Sequence, residues 1–272
     1  MRSNLTVLKL GGSLLTDKST PYVVHEDVIA SAAKEIKSCI DLGLVESLVL
    51  VHGVGSYGHP PVLKHKLHKG FLSKEQLLPI SKTQAIVGEF RALIVKHLQD
   101  AGIPVCLMYP SSMIVAKKMK MVDYYLDPLK AWLELGTVPL LGGDMIVDSV
   151  MGWSVGSGDQ MAVILAKELD AKRLIFASDV PGIYDSDPKQ NQDAQIIPQI
   201  NLDEAESILE KWDQSRAKDA SGAMKGKLRS ILSAKSLIET GLEVSIISMM
   251  EYGTLTRILE NPVGVGTKII SK

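Results

Sequence analysis

Short apolar runs recur along the chain at residues 5–10, 46–52, 104–108, 137–141, 173–178, 244–249 and 267–270. Each is the length of a strand buried on both faces. Between them, residues 26–42, 81–101, 159–169 and 224–241 carry apolar side chains at helical spacing, and the second and last of these stretches end near glycine. Strand and helix alternate, which predicts an α/β fold with a mostly parallel sheet covered by helices on both faces. Residues 145–155 break the alternation and read as a hairpin turning near 148–152, a flap beside the sheet. The polar stretch 185–195, interrupted by Pro188, is the most loop-like region. A boundary near residue 170 is compatible with the pattern; one continuous sheet across both halves is the preferred reading.

Composition narrows the function classes. With 272 residues, 46% hydrophobic and 22% charged, the chain can bury a sizeable core and is not a disordered sequence. The formal net charge of -1 gives no global attraction to nucleic acid or anionic membrane, so any anion site must be local. Cys39 and Cys106 lack partners at metal-ligand spacing and read as buried thiols in a reducing compartment. The N-terminal apolar run is too short for a signal-peptide core, and no stretch approaches the ~20 apolar residues of a membrane span. The expected location is the cytoplasm.

Glycine-rich turns carry the candidate chemistry. In VHGVGSYGHPP, Gly53, Gly55 and Gly58 match the dinucleotide pattern G-x-G-x-x-G after a strand. Pro60 and Pro61 follow, where that fold has a helix packed on its sheet, and no acid closes a second strand at the usual distance. The turn suits a simpler role, because bare backbone lets N–H groups close on an oxyanion and His59 adds a donor. As plain structure, His59 would cap the turn. A second turn, KLGGSLLTDK, lacks the G-K-[ST] ending of a P-loop. Its Lys9 ends an apolar strand, where a charge is costly unless an anion or carboxylate meets it; snorkelling from an edge strand is the alternative. In an open α/β sheet these turns gather in one crevice, so Gly11, Gly12, Gly53 and Gly55 would face one ligand. Further clusters stand at LGGDM, at VGSGDQMA, where Ser157 or Asp159 also reads as a helix N-cap, and at DASGAMKGK, whose Lys225 and Lys227 lie at a helix start and call for an anion or for solvent.

Taken in order, KLGGS, HGVGSYGH, GGDM with GSGDQ, SDVPGIYDSDP and GAMKGK resemble the amino acid kinase family, from Lys9 to Lys227. The histidine-ended turn and the lysine of T-D-K resemble the branch that phosphorylates isopentenyl phosphate and includes fosfomycin kinase relatives. Two positions depart from the pattern: Val54 replaces the middle glycine of HGGGSFGH, and Pro181 replaces the second acid of T-D-V-D-G.

The resemblance implies a three-layer αβα sandwich with an eight-stranded, mainly parallel sheet in a single domain. An acceptor lobe would span about residues 1–170 and a nucleotide lobe about 171–272, usually in a homodimer. It implies ATP and Mg²⁺ as cofactors, with Lys9 and Lys227 bridging the β- and γ-phosphates and Asp159 holding the two lysines. Gly11, Gly12 and Gly222 would lie along the phosphates, and Asp179, Gly182, Tyr184, Pro188 and Lys189 on the adenosine side. Lys18 and His59 would meet the acceptor phosphate, with Gly53, Val54, Gly55, Gly58 and Gly158 around it and Ile80, Met145 and Val155 against an isoprenoid tail. Met108, Met113, Met119 and Met121 read as core and loop, or as an adaptable apolar wall. A kinase for another phosphate or phosphonate, and a non-catalytic nucleotide- or anion-binding protein on the same scaffold, are the competing readings.

Overall fold

Alternation along β1 (Ser3–Leu10) sets the layers of the computed structural model, which describes residues 3–186, 188, 191–214 and 221–271. Leu5 and Val7 point into one buried core, and Leu8 and Leu10 into another on the opposite face. The first half continues with α1 (Gly12–Leu15), α2 (Glu26–Asp41), β2 (Ser47–His52), α3 (Gly55–Lys64), α4 (Leu77–Asp100), β3 (Val105–Leu107), β4 (Ile114–Lys117), β5 (Lys120–Tyr124) and α5 (Asp127–Glu134). Next come β6 (Val138–Gly142), β7 (Asp144–Asp148), β8 (Gly152–Gly156), α6 (Gly158–Glu168), β9 (Ala171–Ser178), β10 (Gln199–Asn201) and α7 (Leu202–Gln214). The chain ends with α8 (Ser221–Leu232), α9 (Lys235–Glu239), β11 (Glu243–Ser248), α10 (Thr254–Glu260) and β12 (Thr267–Ile270).

Eight strands form one sheet in the order β10-β12-β11-β9-β1-β2-β6-β3. The run from β11 to β3 is parallel; β12 is antiparallel to β11, and β10 follows β12. All seven expected strands lie in it, and three-residue β10 is too short to have left a pattern. The sheet is continuous through residue 170, with β9 directly beside β1. One core packs under α5, α6, α7 and α8, the other under α2, α4 and α10.

Three places differ from the pattern expected of the sequence. Residues 145–155 do form a hairpin, β7 with β8, but as half of a second, four-stranded sheet, β5-β4-β7-β8, rather than a lone flap. The Asp148 carboxylate knits this sheet's turns together by accepting the N–H groups of Lys118, Met119, Val150 and Met151 at 2.8–3.1 Å. Second, the helical stretch 224–241 is two helices; the Ser233 hydroxyl donates to the Ser230 carbonyl (2.6 Å) at the break, competing with the helical ladder. Third, Pro60 and Pro61 lie inside α3 instead of following a bare turn. Proline's φ is helical, and the bonds forgone are those to the carbonyls one turn earlier. The methionines resolve as core and turn: Met108 is buried, Met113 and Met121 pack against the same core, and Met119 is exposed in the β4–β5 turn.

Candidate active site

Both glycine turns leave the C-terminal ends of neighbouring strands, β1 and β2, which pair Leu10 with His52. They touch backbone to backbone. A Cβ on Gly12 would collide with Gly55 N, and one on Gly53 with Gly12 N, so only glycine permits this approach. The contact is fastened from below: Gly53 N donates to Leu10 O (2.8 Å), Gly11 N donates to Ala177 O (2.8 Å), and Ser56 N donates to the buried Thr16 hydroxyl (2.9 Å). Thr16, absent from the sequence reading, thus ties α1 to the start of α3.

Val54, which replaces the pattern's middle glycine, does not strain the second turn. Val54 has φ −89° and ψ −16°, ordinary for any side chain, and the positive φ falls on Gly55 at 46°. The γ-methyls of Val54 lie against the bare α-carbons of Gly58 and Gly143, where a Cβ would overlap them. Substitution of the family's middle glycine is thereby absorbed by two other glycines.

Strand alternation puts Lys9 on the same face as Leu5 and Val7, opposite α6 and α8. There it meets Asp159, in the first turn of α6 with Ser157 as N-cap, at 2.7 Å; Lys227 of α8 approaches the same carboxylate oxygen at 3.7 Å. Lys9 is 6% and Lys227 4% exposed. Burial alone would raise the Asp159 carboxyl, but Lys9 and then Lys227 outweigh it and hold it below the usual range. Burial, and then the charge of Lys9, push Lys227 down to about 8. The Lys227 ammonium also stands 4.9 Å over the Phe176 ring, beside Lys9 in register. Two ammoniums share one carboxylate, so the cluster carries a surplus positive charge at the floor of the glycine turns.

Lys225, the other lysine of GAMKGK, leaves this centre to pair with Asp213 at 2.6 Å and to donate to the Trp212 carbonyl. Lys18 is exposed and pairs with Asp179 at 2.9 Å. The other Asp179 oxygen accepts from Ser13 (2.6 Å) and Ser178 (3.1 Å). Burial opposes ionisation of Asp179, yet the Ser13 and Lys18 hydrogen bonds keep its carboxyl at about 2. Asp179, expected on the adenosine side, therefore stands with Lys18 across the first glycine turn.

His59 lies in α3, exposed at the surface. Surrounding protein and then Lys9 hold its pKa below the usual histidine value. Ile80, Met145 and Val155 come together with Val62, Leu67 and Trp153 in a small apolar cluster. On the far side, Gly182 packs against Thr267 and Ile196, Tyr184 bridges to Ile196, Pro188 is an exposed turn residue, and Gly222 lies in the first turn of α8. Lys189 falls outside the described residues.

A group absent from the sequence reading lies behind the turns. Arg91 of α4, 1% exposed, donates from Nε to His52 Nε2 (2.9 Å) and from Nη2 to Gly143 O (3.1 Å), with Asp144 at 3.7 Å. Burial first, and then Arg91, lower His52 to about 3. The ring is neutral, with its Nδ1 proton directed at Gly53 O (3.1 Å).

Comparison with known proteins agrees with this geometry. The amino acid kinase family model matches residues 4–248. The isopentenyl phosphate kinase of Methanothermobacter thermautotrophicus is 32% identical, spanning 98% of this chain and 100% of that one. The isopentenyl phosphate kinase of Methanocaldococcus jannaschii is 33% identical over 82% and 85%. A solved structure of isopentenyl phosphate kinase superposes with a TM-score of 0.79 at 29% identity, covering 97% of this chain and 99% of its own.

Proposed function

Because the chain belongs to the amino acid kinase family, we propose that it uses ATP to phosphorylate isopentenyl phosphate to isopentenyl diphosphate. The observation that carries this reading is the meeting of two glycine turns, the second ended by His59, over a buried lysine pair. A phosphomonoester has its second pKa near 6 and presents an ionised oxygen at neutral pH, so no general base is needed. That oxygen attacks the γ-phosphorus, the bond to the β,γ-bridging oxygen breaks, and ADP leaves with the electron pair. The chief obstacle is repulsion: at ~4 Å and an effective dielectric of about 20, each pair of unit charges costs roughly 4 kcal/mol.

Lys9 and Lys227 would lie along the β- and γ-phosphates, held at their spacing by Asp159. The N–H groups of Gly12 and Gly55 would cradle the transferred group, whereas that of Gly11, expected there too, is taken by the Ala177 carbonyl. His59 and Lys18 would receive the acceptor phosphate, and the cluster of Ile80, Met145 and Val155 its tail. Among the described residues no group of three His, Cys, Asp or Glu side chains gathers to hold a metal, and Asp159 and Asp179 are already paired to lysines. On this reading Mg²⁺ would come with the nucleotide phosphates and neutralise charge there. The same reading assigns acceptor binding to residues 1–170 and ATP to residues 171–272, with a cytoplasmic homodimer as the working form. Among the described residues no helix is long and apolar enough to cross a membrane.

A coupled ADP-release assay with isopentenyl phosphate, dimethylallyl phosphate, fosfomycin and an unrelated phosphomonoester tests the reading. Turnover preferring the isopentenyl compound supports it. Preference for fosfomycin moves the function to phosphonates, and tight ATP binding without turnover of any acceptor leaves a binding protein.

A further inference from the structure

We propose that Arg91 is a positioning residue for phosphoryl transfer, fixing the acceptor turn after β2 and the β6–β7 turn to each other; this rests on the kinase reading above. An arginine buried to this degree is expensive to hold in protein unless its donors are satisfied, and an apolar residue would serve packing as well. Its short bonds do not go to its carboxylate. They go to His52 Nε2, at the end of β2 where the acceptor turn begins, and to Gly143 O of the β6–β7 turn, while Asp144 stays at 3.7 Å. The turns are tied a second time by Gly143 N donating to His52 O (3.0 Å).

From there the contact passes to the charged centre. Gly158, next to Asp159, packs on the His52 carbonyl so closely that a Cβ would lie 3.0 Å from it. Gly142 packs on the His52 ring in the same way. The Arg91 guanidinium lies 5.0 Å from the centre of the Tyr109 ring, and Asp144 is anchored separately by the N–H groups of Met145 (2.8 Å) and Ser111 (3.3 Å). A shift of His52 thus moves the turn that meets the acceptor and presses on the first residue of α6. Arg91 touches no reacting atom; it acts through His52, whose single Nδ1 proton it selects by occupying Nε2.

The test is Arg91→Lys, which keeps the charge but lacks a planar fork able to reach both turns. Expected are a loss of about 10- to 100-fold in kcat/KM for isopentenyl phosphate, the range seen when a supporting hydrogen bond behind a site is removed, an ATP KM close to wild type, and altered ¹⁵N signals for His52. In Arg91→Met the His52 titration midpoint should also rise, since Arg91 and Lys9 are the cations that depress it and Asp144 faces the same pocket. Two results overturn the proposal: Arg91→Lys with wild-type acceptor kinetics, or losses for ATP and acceptor that both simply follow the folded fraction measured by circular dichroism. Failure of the kinase reading shows separately, as absent ADP release by the wild-type protein. The His52 signals and isopentenyl phosphate binding by calorimetry then decide for Arg91, unchanged values in Arg91→Lys counting against it.

Discussion

On one face of the central strands, Lys9, Asp159 and Lys227 crowd two ammonium groups around one carboxylate; on the other, Arg91 meets a neutral imidazole, a carbonyl and Asp144. Both clusters are buried, and both border the glycine turn after β2. In the second, the guanidinium bonds end on protein acceptors, His52 and Gly143. In the first, two ammonium groups share one carboxylate, and burial, then the charge of Lys9, lowers the Lys227 pKa. Buried charge that is satisfied by its neighbours holds a shape, whereas buried charge left in surplus waits for an anion.

Replacing one residue in each cluster breaks this comparison most sharply. Arg91→Met leaves His52, Gly143 O and Asp144 without their cation and should cost about 3–5 kcal/mol of stability, read by denaturant unfolding. Lys227→Met should do the reverse: it removes repulsion from Lys9, so stability holds or rises, while kcat/KM falls about 10²–10³-fold, as for loss of one preorganised charge at a transition state. Equal destabilisation by both substitutions would erase the distinction between shape-holding and anion-seeking clusters.

The pH dependence sharpens it. Lys227 is protonated below about 8 in the anion-free fold, so kcat/KM for ATP should be level up to that pH and fall up to about tenfold per unit above it. Lys227→Arg should move this limb to higher pH, because a guanidinium keeps its charge. Stability runs the other way: the unfolded lysine holds its proton up to about 10.5 and the folded one releases it near 8, so unfolding becomes harder as pH rises through that window. A flat ATP profile through pH 9 in wild type would remove Lys227 from the nucleotide phosphates.

Much of this contrast was legible in the sequence, because strands leave a period and close backbone approach demands glycine. Lys9 was conspicuous as a charge ending an apolar strand, and Asp159 as an acid beside glycines at a helix start. Arg91 gave no such signal: one arginine within a long helix reads as a solvated position, and only packing of α4 on β2 and β6 turns it inward. The pairing of Lys18 with Asp179 was equally hidden, since it depends on β1 lying beside β9 rather than on any motif. β4 and β5 were missed because β4 is only four residues long and β5 buries none of its residues fully, and the turn geometry is set by Asp148 from a different hairpin.

A smaller effect is expected at His59. With its pKa lowered by the surrounding protein, His59 should take up a proton when a dianion binds, because an opposite charge nearby favours the imidazolium. Calorimetry with isopentenyl phosphate at about pH 7.5, where the phosphate is already ionised, should show proton uptake in buffers of different ionisation enthalpy. His59→Gln should abolish the uptake and weaken acceptor binding by about tenfold, the worth of one charge-assisted hydrogen bond. Identical proton uptake in the variant would assign the proton elsewhere.

The mildest test falls on Val54, which lies against Gly143 of the turn that Arg91 holds. Its isopropyl group fills the space left by Gly58 and Gly143, so the side chain braces the acceptor turn against the turn that Arg91 holds. Val54→Gly restores the family's residue but removes the brace, and it adds unfolded-chain freedom worth roughly 0.4–1 kcal/mol. With the lost contact, the expected outcome is a drop of about 1 kcal/mol in stability and about fivefold in kcat/KM for the acceptor, with ATP binding unchanged. If Val54→Gly instead raises acceptor turnover, the valine is an obstruction tolerated by its neighbours rather than a support, and order in this turn comes from Arg91 and Thr16 alone.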